Sequence, residues 1–210
     1  MENMKSSNPT IFTVGHSTHL VDRFLEIIKA SGVTAIADVR SLPFSRFQPQ
    51  FNRDNLEVYL KQNGISYVFL GKELGARSSD TSCFASGRVQ YRLLAETKLF
   101  QKGIERLLNG AKQHAIAVMC AEKEPLECHR TLLVGKALRT VGASVIHLHA
   151  DGSQESHDAA MSRLVNMVGL DNGDFFRSSD EILAEALRKQ EDRVAYVDEQ
   201  IANESDERTV

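Results

Sequence analysis

The run Cys120-Ala121-Glu122-Lys123-Glu124-Pro125-Leu126-Glu127-Cys128-His129-Arg130 gathers the densest set of chemically capable side chains in this 210-residue sequence. An apolar stretch, Ala115 to Cys120, runs into an acidic loop and then into a helical segment opening on Cys128-His129-Arg130. A thiol at a helix start has its pKa lowered, which suits Cys128 to act as a nucleophile or metal ligand. His129 offers a base, an acid or a ligand. Glu122 can carry a proton, and Arg130 presents a planar fork for phosphate or carboxylate. Three polar groups at one strand–helix junction are costly to bury without purpose. Cys120 by itself reads as a buried strand-end thiol. Two familiar assignments fail on spacing. Cysteine-dependent phosphatases place their arginine a whole loop beyond the cysteine, whereas Arg130 follows Cys128 by two; and no C-x-x-C is present for a thioredoxin-like or zinc-ribbon site. Cys120, Cys128 and His129 could be three zinc ligands, with a fourth from afar such as His16.

Four further groups carry chemically capable side chains. Gly15-His16-Ser17-Thr18 joins a strand to a helix, where glycine permits close approach and free N–H groups suit an anion; the plainer reading is that Ser17 or Thr18 caps the helix. Asp38-Val39-Arg40-Ser41-Leu42-Pro43-Phe44-Ser45-Arg46-Phe47 interleaves arginines, hydroxyls and aromatics, as sites for phosphate or single-stranded nucleic acid do. Its plainer reading has the phenylalanines anchoring a proline-stiffened loop while Asp38 pairs with an arginine. Arg77, after a third strand, is either another anion ligand or half of a surface ion pair. His147 and His149 share one face of a strand, so one of them could reach the same crevice. Neither G-x-G-x-x-G nor G-x-x-x-x-G-K-[ST] occurs, so the usual dinucleotide and Walker phosphate sites are unsupported.

These residues need elements to hold them. Thr10–Val14, 33–37, 65–70, 115–120 and 144–149 read as strands. Between them lie helix-period segments: Val21, Phe24, Leu25 and Ile28 on one face, closed by Gly32; residues 53–62, capped by Asn52 and stopped by Gly64; 89–109; and Val134, Ala137, Leu138 and Val141, stopped by Gly142. The alternation predicts an α/β fold, a mainly parallel sheet of about five strands flanked by helices, with a helical C-terminal extension. Residues 10–170 form the expected domain and 178–210 an acidic helical tail. Beyond 150 the pattern is helical only. Leu183, Leu187, Val194, Val197 and Ile201 follow a 4–3 spacing broken by Gln190, which suits a helix packed on its own domain or a homodimer contact. In such sheets ligands sit beyond the strands' carboxyl ends, where the polar groups above all fall.

The net charge is −3, but the segment from 178 onward carries ten acidic and four basic residues, leaving +3 on the remainder. No apolar stretch approaches the roughly 20 residues of a membrane span. The first nine residues lack the apolar core of a secretory signal, and three scattered cysteines suit a reducing cytoplasm.

The chain resembles a bacterial family of unknown function, numbered 488. The resemblance rests on Thr13-Val14-Gly15-His16-Ser17, Asp38-Val39-Arg40-Ser41 with Pro43, Ser45 and Arg46, Phe51-Asn52, and Gly64-Ile65 before Tyr67. Leu74-Gly75 with Arg77, Cys120-Ala121-Glu122 with Pro125 and Cys128-His129-Arg130, and His147 with Asp151-Gly152 complete it. One departure is Ala76, where a second glycine is expected. The family implies a single α/β domain with a polar cluster at the strand ends and no assigned activity.

The residues lead to one main expectation: an enzyme acting on a phosphate-bearing substrate, a nucleotide or nucleic acid, without a cofactor. Glu122, His129, Asp38 and Cys128 are the catalytic candidates. Gly15, His16, Ser17, Arg40, Ser45, Arg46, Arg77 and Arg130 are the candidates for binding. The alternatives are a non-catalytic nucleic-acid-binding module, or a metal or thiol site at Cys120, Cys128 and His129.

Overall fold

A computed structural model describes residues 8–170 and 177–207, so the first seven residues and the last three of the expected tail lie outside the described residues. In chain order the elements begin with β1 (Thr10–Gly15), α1 (Val21–Ala30), β2 (Ala35–Asp38), α2 (Arg53–Gln62), β3 (Ser66–Phe69) and α3 (Gly71–Leu74). A two-strand ribbon, β4 (Phe84–Ala85) and β5 (Arg88–Val89), precedes α4 (Tyr91–Glu96), α5 (Lys98–Gly110) and β6 (Ile116–Cys120). A π-helical stretch, Arg130–Gly135, continues as α6 (Lys136–Thr140), followed by β7 (Ser144–Leu148), β8 (Gln154–Ser156), α7 (His157–Met167), α8 (Ser179–Val194) and α9 (Glu199–Glu207).

The main sheet has six strands in the order β3-β2-β6-β1-β7-β8. All neighbours run parallel except β8, which pairs antiparallel with β7. The α/β architecture, the largely parallel sheet and the C-terminal helix match the sequence pattern. The sixth strand does not: Gln154-Glu155-Ser156 is too short and polar to show a strand period, and it exists because it closes the exposed edge of β7.

Strand alternation sorts the core into two layers. On β6, Ile116, Val118 and Cys120 point to one face, while Ala117 and Met119 point to the other. The second face is covered by α1 and α2 through Phe24, Ile27, Ile28, Leu56 and Leu60. Each such fully buried side chain contributes about 1.5–3 kcal/mol. The first face is covered by α4, α5, the π-helical stretch, α7 and α8. Cys120 is therefore aimed at the layer that also holds Cys128 and Leu132.

Several local expectations are corrected. The helical material expected over 89–109 forms two helices, divided at Thr97, whose hydroxyl accepts from the Phe100 N–H and caps α5. Asn52 does stand at the start of α2, but its side chain turns back to accept from the Ser45 N–H at 2.7 Å. Neither Ser17 nor Thr18 caps α1, which begins after Leu20 without a side-chain cap. Val141 is 55% exposed, off the face it was expected to share with Val134 and Leu138, because α6 ends at Thr140 and Val141 is its C-cap.

The C-terminal apolar spacing also divides. Leu187 and Gln190 are buried against the chain's own body, and the Gln190 amide donates to the Leu126 carbonyl at 2.7 Å. The helix ends before Ala195. Tyr196 and Val197 then run extended, pairing with Val89 and Arg88 of the ribbon. Among the described residues no helix is long and apolar enough to cross a membrane.

Candidate functional site

Topology brings three polar segments together. Because β6 lies between β1 and β2, the carboxyl ends carrying Gly15–Ser17, Asp38–Arg40 and Cys120–Glu122 are adjacent. Beyond them lies a cavity of about 270 Å³, walled by Arg40, Ser41, Arg77, Tyr91, Cys120, Glu122, Cys128, His129 and Tyr196, among others.

Its floor is a four-group cluster. The ligand-capable atoms of Cys120, Glu122, Cys128 and His129 all lie within 4.8 Å of one another. His129 Nδ1 stands 3.7 Å from Cys120 Sγ and 3.9 Å from Cys128 Sγ, while its Nε2 lies 3.1 Å from the Val39 carbonyl. A carbonyl can only accept, so Nε2 carries a proton and donates it. Cys128 Sγ is 2.9 Å from Glu122 Oε2 and accepts from the Arg130 N–H at 3.4 Å. Both sulfurs are buried, and the glutamate is the exposed member.

The charges follow from this packing. Burial pushes the Cys120 thiol well above its ordinary range, and a hydrogen bond to Cys128 adds to the effect. Burial opposes charge on Cys128 too, yet the Cys120 thiol, the Arg130 charge and His129 together hold it well below that range. Burial would lower His129, but the Cys128 and Glu122 charges outweigh it and raise the imidazole. Burial, then the neighbouring Cys128, raises Glu122. Both shifts run toward the charged forms, thiolate on Cys128 and imidazolium on His129.

Of the catalytic candidates, Glu122, Cys128 and His129 share the cavity. Asp38 lies beneath it, fully buried and bound to Arg40: Nε and Nη2 of Arg40 donate to its carboxylate at 2.9 and 2.6 Å, and the Tyr67 hydroxyl donates at 2.8 Å. Hydrogen bonding to Asp38 outweighs burial and raises the Arg40 pKa, so the guanidinium stays charged. Arg40 lines the cavity, but its charge is already matched. Its Nη1 also reaches His16 Nε2 at 3.1 Å. His16 stacks on Phe51, and burial followed by the Arg40 charge lowers its pKa to about 4.

Arg130 is completely buried and donates to the carbonyls of Glu122 and Lys123 at 2.6 and 3.1 Å, bracing the loop instead of facing a ligand. The Gly15–Ser17 turn is likewise occupied by protein. His16 N and Ser17 N donate to the carbonyls of Cys120 and Ala121. Gly15 is there because a Cβ would stand 1.9 Å from the Glu122 carbonyl oxygen. Ser45 holds its own loop, its hydroxyl accepting from Phe47 N and Gln48 N at 3.2 Å. Arg46 is exposed and outside the cavity wall. Arg77 is exposed, lines the cavity and lies over the Tyr196 ring at 4.8 Å.

His147 and His149 do not reach the cavity wall. His147 bonds Thr13 and His157 in the core, and His149 pairs with Glu155. Sequence reasoning passed over the Val39 carbonyl, Tyr91 and Tyr196. Their sequence signals were slight: a backbone carbonyl has no side-chain signature, and Tyr91 at the start of α4 and Tyr196 in the extended stretch after α8 both lie far from the motif.

No curated protein and no solved structure matches this chain. One family's sequence model does, over residues 20–137, more than half of the chain. That span includes the Asp38–Arg40 segment and the entire Cys120–Arg130 cluster, and leaves the Gly15–Ser17 turn just outside. The chain belongs to the family described as domain of unknown function DUF488.

Proposed function

We propose that the protein is an enzyme built around a transition-metal centre, zinc by the chemistry of its donors, held by Cys120, Cys128 and His129 with Glu122 at the fourth position. His129 carries this reading. Its Nδ1 faces two sulfurs at 3.7 and 3.9 Å, where a metal would displace any proton on it, while Nε2 is tied to a backbone carbonyl. Tetrahedral zinc, with bonds of about 2.3 Å to sulfur and 2.0–2.1 Å to nitrogen, puts such ligands about 3.6 Å apart. A backbone carbonyl on the far ring nitrogen is the usual device that fixes a ligating tautomer. Sulfur and imidazole donors together favour zinc over magnesium or calcium.

Glu122 sits too near Cys128 for both to ligate as they stand, and as the exposed member it is free to turn. Three inner ligands and one displaceable group bordering a cavity is the arrangement of a catalytic zinc site, where the metal supplies a water of near-neutral pKa. With such a metal bound, Glu122 would be the group beside it able to accept a proton. Arg77 supports an anionic substrate, a phosphate group included: it borders the cavity, and among the described residues no carboxylate pairs with it.

The test is titration of metal-stripped full-length protein with Zn²⁺ against a chromophoric chelator. The expected result is one tightly held equivalent, lost in Cys128→Ser and in His129→Ala, with Glu122→Gln weakening binding only modestly. Equal binding by all four proteins contradicts the assignment.

A second reading has Cys128 as a nucleophile with His129 as its proton partner. Its specific support is the donation of the Arg130 N–H to Sγ and the lowered thiol pKa. Alkylation by iodoacetamide near pH 6 separates the two. Fast modification of Cys128 in zinc-loaded protein favours the nucleophile; protection by zinc favours the metal.

A further inference from the structure

The loop from Ser41 to Gln48 displays its apolar side chains to solvent. Phe44 is 70% exposed, Phe47 85% and Leu42 65%. The loop's backbone is nevertheless held firmly. Ser45 N donates to Asn52 Oδ1 at 2.7 Å, Ser45 Oγ accepts from Phe47 N and Gln48 N, and Arg53 N donates to the Pro43 carbonyl at 3.0 Å. Phe51 is the one phenylalanine of the segment that anchors it, fully buried against His16 and Phe24. A rigid loop that keeps two phenylalanine rings in water gives up their burial, which is consistent with their being held ready for a partner.

The segment's charge says which partner. Residues 39–53 contain no Asp or Glu and three arginines, of which Arg40 is matched by the buried Asp38, leaving Arg46 and Arg53. Arg46 sits between the two exposed rings in sequence and has no carboxylate partner among the described residues. Arg53 lies over the Phe69 ring at 4.8 Å, likewise without an acidic partner among the described residues. Flat rings interleaved with unpaired cations match unpaired bases joined by phosphates. They do not match an acidic peptide, which has no flat faces for the rings.

We infer that the loop 41–48 is a stacking platform for single-stranded nucleic acid, with bases on Phe44 and Phe47 and phosphates on Arg46 and Arg53. Leu42, which also lines the cavity, joins the platform to its mouth, where Arg77 waits for the next phosphate. Double helices do not fit, because their bases are already stacked. The inference deepens the proposed centre by naming its substrate class, and rests on that centre only for where the strand leads.

The test is fluorescence anisotropy of labelled single strands of about 12 nucleotides, RNA and DNA, and of a duplex of the same length. Expected is binding of single strands in preference to duplex, weakening steeply with salt. Phe44→Ala and Phe47→Ala should each weaken it by about 5- to 150-fold, and Arg46→Gln should lower the salt slope by about 1. Exposed side chains carry no fold, so circular dichroism of these variants should be unchanged. RNA against DNA decides which nucleic acid is preferred. No binding of either single strand at low salt overturns the inference, as does wild-type affinity in the Phe44→Ala/Phe47→Ala protein. Repeating the titration on chelator-stripped protein keeps the two proposals apart, since strand binding persists there even if the metal assignment fails.

Discussion

Four donors converge on Asp38: the Arg40 N–H, Nε and Nη2, and the Tyr67 hydroxyl. The carboxylate has no contact with solvent, so its charge is balanced by protein alone. Removing one partner of such a pair leaves an uncompensated buried charge, at a cost of about 3–5 kcal/mol. Asp38→Asn should therefore lower stability by that order in a urea titration; an unchanged midpoint would show that Arg40 finds other company. Gly15 acts by having no side chain. In Gly15→Ala the new methyl meets the Glu122 carbonyl, and overpacking of this kind costs typically about 1–3 kcal/mol. Because that carbonyl is also held by Arg130, the displacement should reach the cluster and reduce metal affinity as well as stability. The sequence singles out both positions, Asp38 for catalysis and Gly15 for approach to a ligand, whereas in the fold both are engaged by protein. It could not say that Arg40 and Arg130 are spent inside the protein, because an arginine's partner is decided by three-dimensional neighbours.

At the scale of elements, β7 and α7 are joined by a buried line from Thr13 through His147 to His157, with separations of 2.7 and 3.2 Å. Burial, aided by His157, lowers His147 to about 3, and burial lowers His157 to about 4. The unfolded chain protonates these rings near pH 6.5, whereas the folded one keeps them neutral. The unfolded state thus binds more protons below pH 6.5, and stability must fall with pH from there toward pH 4. His16 acts in the same sense. His129 opposes it in metal-free protein, since its raised pKa gives stability that fades as pH rises. Denaturation at pH 7 and pH 4.5 should show a loss of several kcal/mol, smaller in His157→Gln. No dependence would mean that these rings are solvated. Helix α8 makes a simpler prediction. Gln190 satisfies the buried Leu126 carbonyl, so Gln190→Leu should cost about 1–3 kcal/mol.

Those elements were legible to different degrees for physical reasons. The parallel strands announce themselves by apolar runs buried on both faces, and the glycine stops at Gly32, Gly64 and Gly142 all adopt positive φ. The strand β8 and the ribbon β4–β5 are too short to show a period. The polar residue that interrupts the C-terminal apolar spacing, Gln190, proved to be a buried donor. At the site, adjacency in sequence found Glu122, Cys128 and His129 together. The order of strands, which places Val39 beside them, is a property of the whole sheet.

The whole molecule is arranged around that junction. The segment from 178 onward carries the chain's net negative charge, yet it is no mere appendage: Arg193 pairs with Glu127, Lys136 with Glu191, and Val194 and Tyr196 complete the cavity wall. Metal bound to Cys120 on β6 and to Cys128 and His129 at the head of the π-helical stretch would tie the sheet to its helical layer, so loading should stabilise the fold as a unit. Free metal at about 100 times its Kd should add about 2.7 kcal/mol to unfolding. The most direct test of the central claim is Co²⁺ substitution of the stripped full-length protein, followed by absorption spectroscopy. The account predicts one equivalent, with thiolate-to-metal charge transfer and the intense visible bands of a tetrahedral ion, both abolished in Cys128→Ser. A pale six-coordinate spectrum, or the same spectrum in Cys128→Ser, would contradict it.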